Sequence, residues 1–367
     1  MSKEIEKLDK NLAVRSDNTL NGMDIYTPDS PSFLLTGLPF RKKGEPFHRF
    51  PADFDLSFSP HLPHLATLTA GVALHFASDT EKVLLHAKVG GCRMCHMAQR
   101  GSMGFDLYVG KNQTKVFCKS SNFSPDDKEY SCELFSVPKR LMREFTIYFP
   151  LYSSVESVEI GLTQGAKVAP PAPFADPRPI VVYGTSITQG GCVSRPGMLY
   201  SSMLGRLLKR PVYNFGFSGN GKGEKVIAEK LSTISDAAMF ILNYDDNARP
   251  PLLEKTLKEF ILTLRKNHPS TPILALSTEP KSAEAFDPFD SDYASKERLL
   301  YTAIHERIQR ELREEGDENI YFLDGQRLYG PDFDEFIVDG AHATDLGNYH
   351  IAHNLAPLVE RILNRWW

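Results

Sequence analysis

The chain is predicted to fold in two parts. Residues 1–170 read as an all-β sandwich of jelly-roll type, with roughly the first thirty residues extended, and residues 177–367 read as an α/β unit on a five-stranded parallel sheet. Three observations predict this. Apolar residues alternate with period two before about residue 162, a proline-rich stretch follows, and the grammar then changes to strand, loop, helix.

In the first part, Val83, Leu85, Ala87 and Val89 alternate along one run, and Phe145, Ile147 and Phe149 along another. Such alternation fits strands with one buried face. Turn-forming clusters such as Gly110-Lys-Asn and Ser124-Pro-Asp-Asp break the runs at short intervals, and no long helical period intervenes. Many short strands with regular turns predict an antiparallel sandwich. The stretch from Gly165 to Pro179, GAKVAPPAPFADPRP, reads as a semi-rigid linker.

In the second part, buried strands are expected at Ile180–Tyr183, Val212–Phe215, Ala238–Leu242, Ile273–Ser277 and Ile320–Leu323. Helices are expected at Met198–Lys209, Glu224–Leu231, Leu252–Lys266, Tyr293–Glu314 and Leu346–Asn364. Continuous apolar strands separated by helices predict a parallel sheet covered on both faces. In that architecture ligands bind outside the carboxyl ends of the strands.

Composition narrows the function classes. The 367 residues are 41% hydrophobic and 24% charged, with a formal net charge of -4. That length suggests two domains with a sizeable core. No Lys/Arg-rich run points to nucleic acid or an anionic membrane surface, so neither is expected as a partner. No stretch approaches the roughly 18 apolar residues that span a bilayer. The start, MSKEIEKLDKNLAV, lacks the apolar core of a signal peptide. A cytoplasmic location is expected for the sequence as given, and a secreted or periplasmic one if a signal was removed. The cysteines (Cys92, Cys95, Cys118, Cys132, Cys192) are odd in number and irregularly spaced, which fits reduced thiols. Cys92-Arg-Met-Cys95-His96 matches the pattern of covalent haem attachment, but its strand-rich setting favours packing roles.

The loops after successive strands carry the chemistry. Ser186 follows the first strand in Gly184-Thr185-Ser186, where it is either exposed at the sheet edge or a helix cap. After the second strand, Asn214-Phe-Gly-Phe-Ser-Gly219-Asn-Gly lets backbone N–H groups face a developing anion. Gly216 to Lys222 also fits a phosphate-binding loop, although Gly223 stands where a magnesium-binding hydroxyl belongs. Asn247, in Asn243-Tyr-Asp-Asp-Asn, either donates an amide into the same crevice or helps turn the chain. Asp339-Gly-Ala-His342 follows the fifth strand; a carboxylate orienting an imidazole is what a serine's general base requires. Arg195, in a glycine-rich loop at the mouth of the crevice, is a candidate for holding a substrate oxygen. His350 and His353 sit at a zinc-compatible spacing, with apolar neighbours that favour packing. Cys192 reads as packing and Asp106 as a turn or strand-end residue.

Together the four loops resemble, in order, the four blocks of the SGNH (GDSL-type) hydrolases. Gly104-Phe-Asp-Leu-Tyr108 is similar to the GxDLY motif of the subgroup that carries an N-terminal β-sandwich. Two departures are Thr185, where the name-giving pattern has Asp, and Asp245-Asp246, where Gly-Gly is common. The resemblance implies a three-layer, flavodoxin-like fold for the second part. It implies a serine esterase with a Ser186–His342–Asp339 triad and an oxyanion hole from Ser186, Gly219 and Asn247. It also implies no cofactor and no metal. The substrate expected is a small-acyl or carbohydrate ester; a lipase or lysophospholipase, or a carbohydrate-binding protein with an inactive hydrolase half, are the alternatives.

Overall fold

The computed structural model describes Leu8 and residues 19–111, 114–286 and 294–364. The charged start read for a signal lies outside them apart from Leu8, and the extended reading of the first thirty residues is met within them only by strand β1, Met23–Tyr26.

The β part holds β1, β2 (Leu34–Thr36), β3 (Ala73–Ser78), β4 (Lys82–Val89), β5 (Asp106–Val109), β6 (Val116–Ser120), β7 (Glu129–Ser136), β8 (Arg143–Tyr148), β9 (Val155–Thr163) and β10 (Val168–Ala169). One antiparallel sheet runs β1-β9-β4-β7; the other runs β10-β3-β8-β5-β6, with β2 paired to β3. The alternating residues meet between the sheets: Val83, Leu85, Ala87, Phe145 and Ile147 share one buried cluster with Phe76, Phe105 and Ile160. Two short helices interrupt the strands, α1 (Leu62–Ala66) and α2 (Gln99–Met103).

The second part alternates as expected through β11 (Ile180–Gly184), α3 (Ser186–Gln189), α4 (Tyr200–Leu208), β12 (Val212–Gly216), α5 (Lys225–Leu231), β13 (Met239–Asn243), α6 (Asp245–Arg265), β14 (Ile273–Leu276), α7 (Ser282–Phe286), α8 (Ala294–Glu314), β15 (Ile320–Leu323), α9 (Gln326–Tyr329) and α10 (Asp345–Asn364). The five parallel strands lie in the order β12-β11-β13-β14-β15, the flavodoxin-like arrangement. Helix α6 begins earlier than the periodicity suggested. Its first turn breaks at Arg249 (φ 60°), and Pro250 and Pro251 open the longer segment, where a missing N–H costs nothing. No described helix is long and apolar enough to cross a membrane.

Register brings the loops together. Gly184 pairs with Gly216 on one side and Asn243 on the other, so three strands end level. The core beneath them is not confined to residues 177–367. Phe50, Leu56, Leu62, Leu65, Leu68, Leu151 and Tyr152 are buried in the same cluster as Val182, Phe215 and Leu242. Arg49 is also drawn in. It is fully buried and donates to the carbonyls of Leu65 (2.7 Å) and Gly216 (2.6 Å), its guanidinium 4.4 Å from the Phe217 ring centroid. It has no carboxylate partner among the described residues, and burial pulls its pKa down to about 9.

Candidate active site

Strand β11 delivers the serine. The Thr185 hydroxyl caps α3 by accepting from Ile187 N–H at 3.3 Å. The capping duty therefore falls on Thr185, and Ser186 is free for another role. Its Oγ lies 2.7 Å from His342 Nε2. His342 Nδ1 lies 2.7 Å from Asp339 Oδ2, while Asp339 Oδ1 accepts from the N–H of His342 (2.8 Å) and of Ala341 (3.2 Å). Burial raises the Asp339 pKa, but the His342 N–H, the imidazole and the Ala341 N–H outweigh it and hold the carboxyl below its ordinary range. Asp339 is thus a carboxylate at neutral pH, placed to accept a hydrogen bond from the imidazole Nδ1.

The loop after β12 packs beside α3. Gly216 packs so tightly on α3 that a Cβ there would stand 2.2 Å from Gln189 N. That contact, rather than phosphate binding, accounts for this glycine. Gly219 has φ +64° and open space where a Cβ would project. Its N–H meets no acceptor among the described residues, and the Ser186 N–H heads α3, where first-turn amides lack helical partners. The loop is held by Ser218 N–H to Gln189 Oε1 (2.9 Å) and by a 2.7 Å bond between the Tyr152 and Ser218 hydroxyls.

Asn247 reaches this loop, but not as expected. Its Nδ2 donates to Phe217 O (3.2 Å) and Asn220 O (2.7 Å). Both amide protons are spent bracing the turn around Gly219, so Asn247 stands as a brace where a direct donor was expected. Arg195 needs a plainer correction. Its Nη1 lies 3.0 Å from the buried Asp106 Oδ2 and 2.7 Å from the Tyr108 hydroxyl, and its guanidinium sits 3.8 Å from the Phe117 ring centroid. Asp106 also accepts from Gly197 N–H (2.8 Å) and the Ser120 hydroxyl (2.6 Å). Arg195 therefore joins the sandwich to the catalytic loop, in place of a substrate contact.

Cys192, just past α3, is buried, and desolvation with the Asp339 charge pushes its thiol up to about 12. His350 stacks on Phe336 (4.3 Å between centroids), and His353 Nδ1 lies 2.9 Å from Tyr349 O. Sequence reasoning missed Tyr152, Gln189 and Arg49, which brace the Gly219 loop from the sandwich side, from α3 and from the core. It also missed a buried acidic group behind β13. Asp245 accepts from His305 Nε2 at 3.0 Å, and Glu279 Oε2 has no partner among the described residues.

A profile of the GDSL-like lipase/acylhydrolase family matches residues 177–360, and one for the N-terminus of SGNH-hydrolase-type esterases matches residues 23–168. No curated protein sequence matches the chain. Among solved structures, one described as a GDSL-like lipase from Bacteroides ovatus is 30% identical, with a TM-score of 0.81 over 93% of this chain and 98% of that one. A salicylyl-acyltransferase from a tetracycline biosynthetic pathway is 17% identical (TM-score 0.73; 92% and 98% covered). An acetyl xylan esterase from the rumen bacterium Butyrivibrio proteoclasticus is 13% identical (TM-score 0.58; 94% and 100% covered). The last two likenesses are of fold alone.

Proposed function

The chain belongs to the GDSL-like lipase/acylhydrolase family, a family of SGNH-type hydrolases, and from that premise we propose that it is a serine esterase cleaving carboxylic esters of small acyl groups, carried on carbohydrate. The observation that carries the reading is the chain of contacts from Ser186 Oγ through His342 to Asp339.

His342 Nε2 takes the Ser186 proton as Oγ attacks the ester carbonyl carbon. Asp339 stabilises the imidazolium and fixes its orientation. Negative charge collects on the carbonyl oxygen, where the N–H groups of Ser186 and Gly219 donate to it. The imidazolium then protonates the departing alcohol. Water, deprotonated by the same imidazole, attacks the acyl-enzyme and returns the serine. Every group required is supplied by the chain.

The sugar-linked, small-acyl part is the finer step. It is supported by the likeness of the whole two-part architecture to an acetyl xylan esterase, on a fold that by itself leaves substrate open. Rates on p-nitrophenyl esters from acetyl to palmitoyl, beside acetylated xylo-oligosaccharides, test it. Acetyl esters should be cleaved fastest, with rate falling as the acyl chain lengthens. Preference for long chains would replace this substrate class with a lipid.

A further inference from the structure

The loop from β4 to α2 carries Cys92-Arg-Met-Cys95-His96, which the esterase reading leaves unused. In the fold this sandwich loop reaches the catalytic crevice. The His96 ring centroid lies 6.1 Å from that of His342. One donor atom each of His96, Cys192 and Asp339 lies within 4.8 Å of the other two, a grouping found nowhere else among the described residues. The three come from separate segments: the sandwich loop, the turn after α3, and the turn before α10. Cys192 is held with φ +73°, a backbone conformation that disfavours any side chain. The strain is borne by a buried thiol that faces Asp339.

The donor set has a definite chemical character. One imidazole nitrogen, one sulfur and one carboxylate oxygen suit zinc and its borderline neighbours, whereas calcium and magnesium take oxygen ligands. With bonds of roughly 2.0–2.3 Å, tetrahedral donors stand roughly 3.3–3.8 Å apart. Closing from 4.8 Å takes side-chain movements of about an ångström, and both His96 and Asp339 are exposed enough to make them. Cys95 Sγ, also exposed, lies 3.9 Å from His96 Nδ1. Rotation of its side chain, or a water molecule, completes four ligands.

We propose that His96, Cys192 and Asp339 form a site for a divalent transition-metal ion of the zinc class, and that filling it switches the esterase off. On binding, the Cys192 thiol releases its proton to water, and the thiolate and the Asp339 carboxylate balance the two positive charges. The carboxylate oxygen that accepts from His342 Nδ1 is drawn to the metal. The imidazolium that must form when Ser186 gives up its proton then loses its counter-charge and faces a cation. The inhibitory half rests on the triad reading; the metal site does not.

The test uses chelator-dialysed enzyme and Co²⁺ as a spectroscopic probe, with Zn²⁺ in the ester assay. Titration should give one equivalent of Co²⁺ with a thiolate-to-metal charge-transfer band, and Zn²⁺ should suppress turnover over the same range. Cys192→Ser should abolish the band, and His96→Ala should weaken binding by more than about tenfold. Both variants should keep the metal-free activity and resist Zn²⁺. A band unchanged in Cys192→Ser, or no stoichiometric binding, overturns the proposal. The stated binding without inhibition upholds the metal site and overturns the triad role of Asp339.

Discussion

At the scale of single residues, the proposed mechanism gives Ser186 and Asn247 different parts, one forming the bond to the carbonyl carbon and the other bracing the loop that faces the carbonyl oxygen. In the proposed mechanism Ser186 supplies the nucleophile, so Ser186→Ala should lower kcat by roughly 10⁴-fold or more with an unchanged melting curve, because its hydroxyl contacts only His342 among the side chains of the described residues. Activity persisting in purified Ser186→Ala protein would remove it from the reaction. Asn247 spends both amide protons on Phe217 O and Asn220 O, so in the proposed mechanism its part is to fix the direction of the Gly219 N–H. Asn247→Ala should reduce kcat by about 10²-fold with KM little changed, as losing one oxyanion donor does. A variant with wild-type kcat would show that Gly219 needs no brace. The sequence placed Asn247 at the right loop, but which carbonyls its amide meets depends on how the neighbouring loop curls.

Between elements, the joint of sandwich and catalytic loop rests on Arg195 and Asp106. Asp106 is fully buried; desolvation raises its pKa while Ser120, Arg195 and Gly197 oppose the shift. Arg195→Ala leaves that carboxyl buried with its cation gone. The loss should be about 3–5 kcal/mol in urea unfolding, with kcat and KM altered far less than stability. A selective rise in KM at unchanged stability would return Arg195 to substrate binding. Strands β11 to β15 were legible because each buries a continuous apolar run between helices, and β15 falls where Ile320–Leu323 was read. The ends of β11 and β12 extend one residue further, to Gly184 and Gly216, because pairing with neighbours outweighs a glycine's weak strand preference. Arg49 and Tyr152 left no local signal, and the motif that holds His96 gave no sign of where in the fold it would lie. Each acts across more than thirty residues of chain, and periodicity reports only which face of an element is buried.

At the scale of the whole molecule, pH should act through Glu279. Burial pushes its carboxyl up to about 8, with Asp246 and Asp245 adding to the rise, against an ordinary value of 4.5. Between those values the folded chain holds a proton that the unfolded chain has released. Stability therefore falls as pH climbs through that window, by up to about 1.4 kcal/mol per pH unit, and levels off above it. Glu279→Gln should melt higher than the wild type at pH 8, the two converging near pH 4; coincident melting at pH 8 would mean that Glu279 ionises freely. A different consequence follows from Arg49, whose guanidinium grips the Gly216 carbonyl from residues that precede the proline-rich link. In recombination among relatives, a crossover in that link would separate this cation, and the apolar residues from Phe50 to Leu68 beside it, from the sheet that evolved around them. Chimaeras joined there should express as insoluble protein, whereas those that carry residues 47–70 along with the sheet should remain soluble.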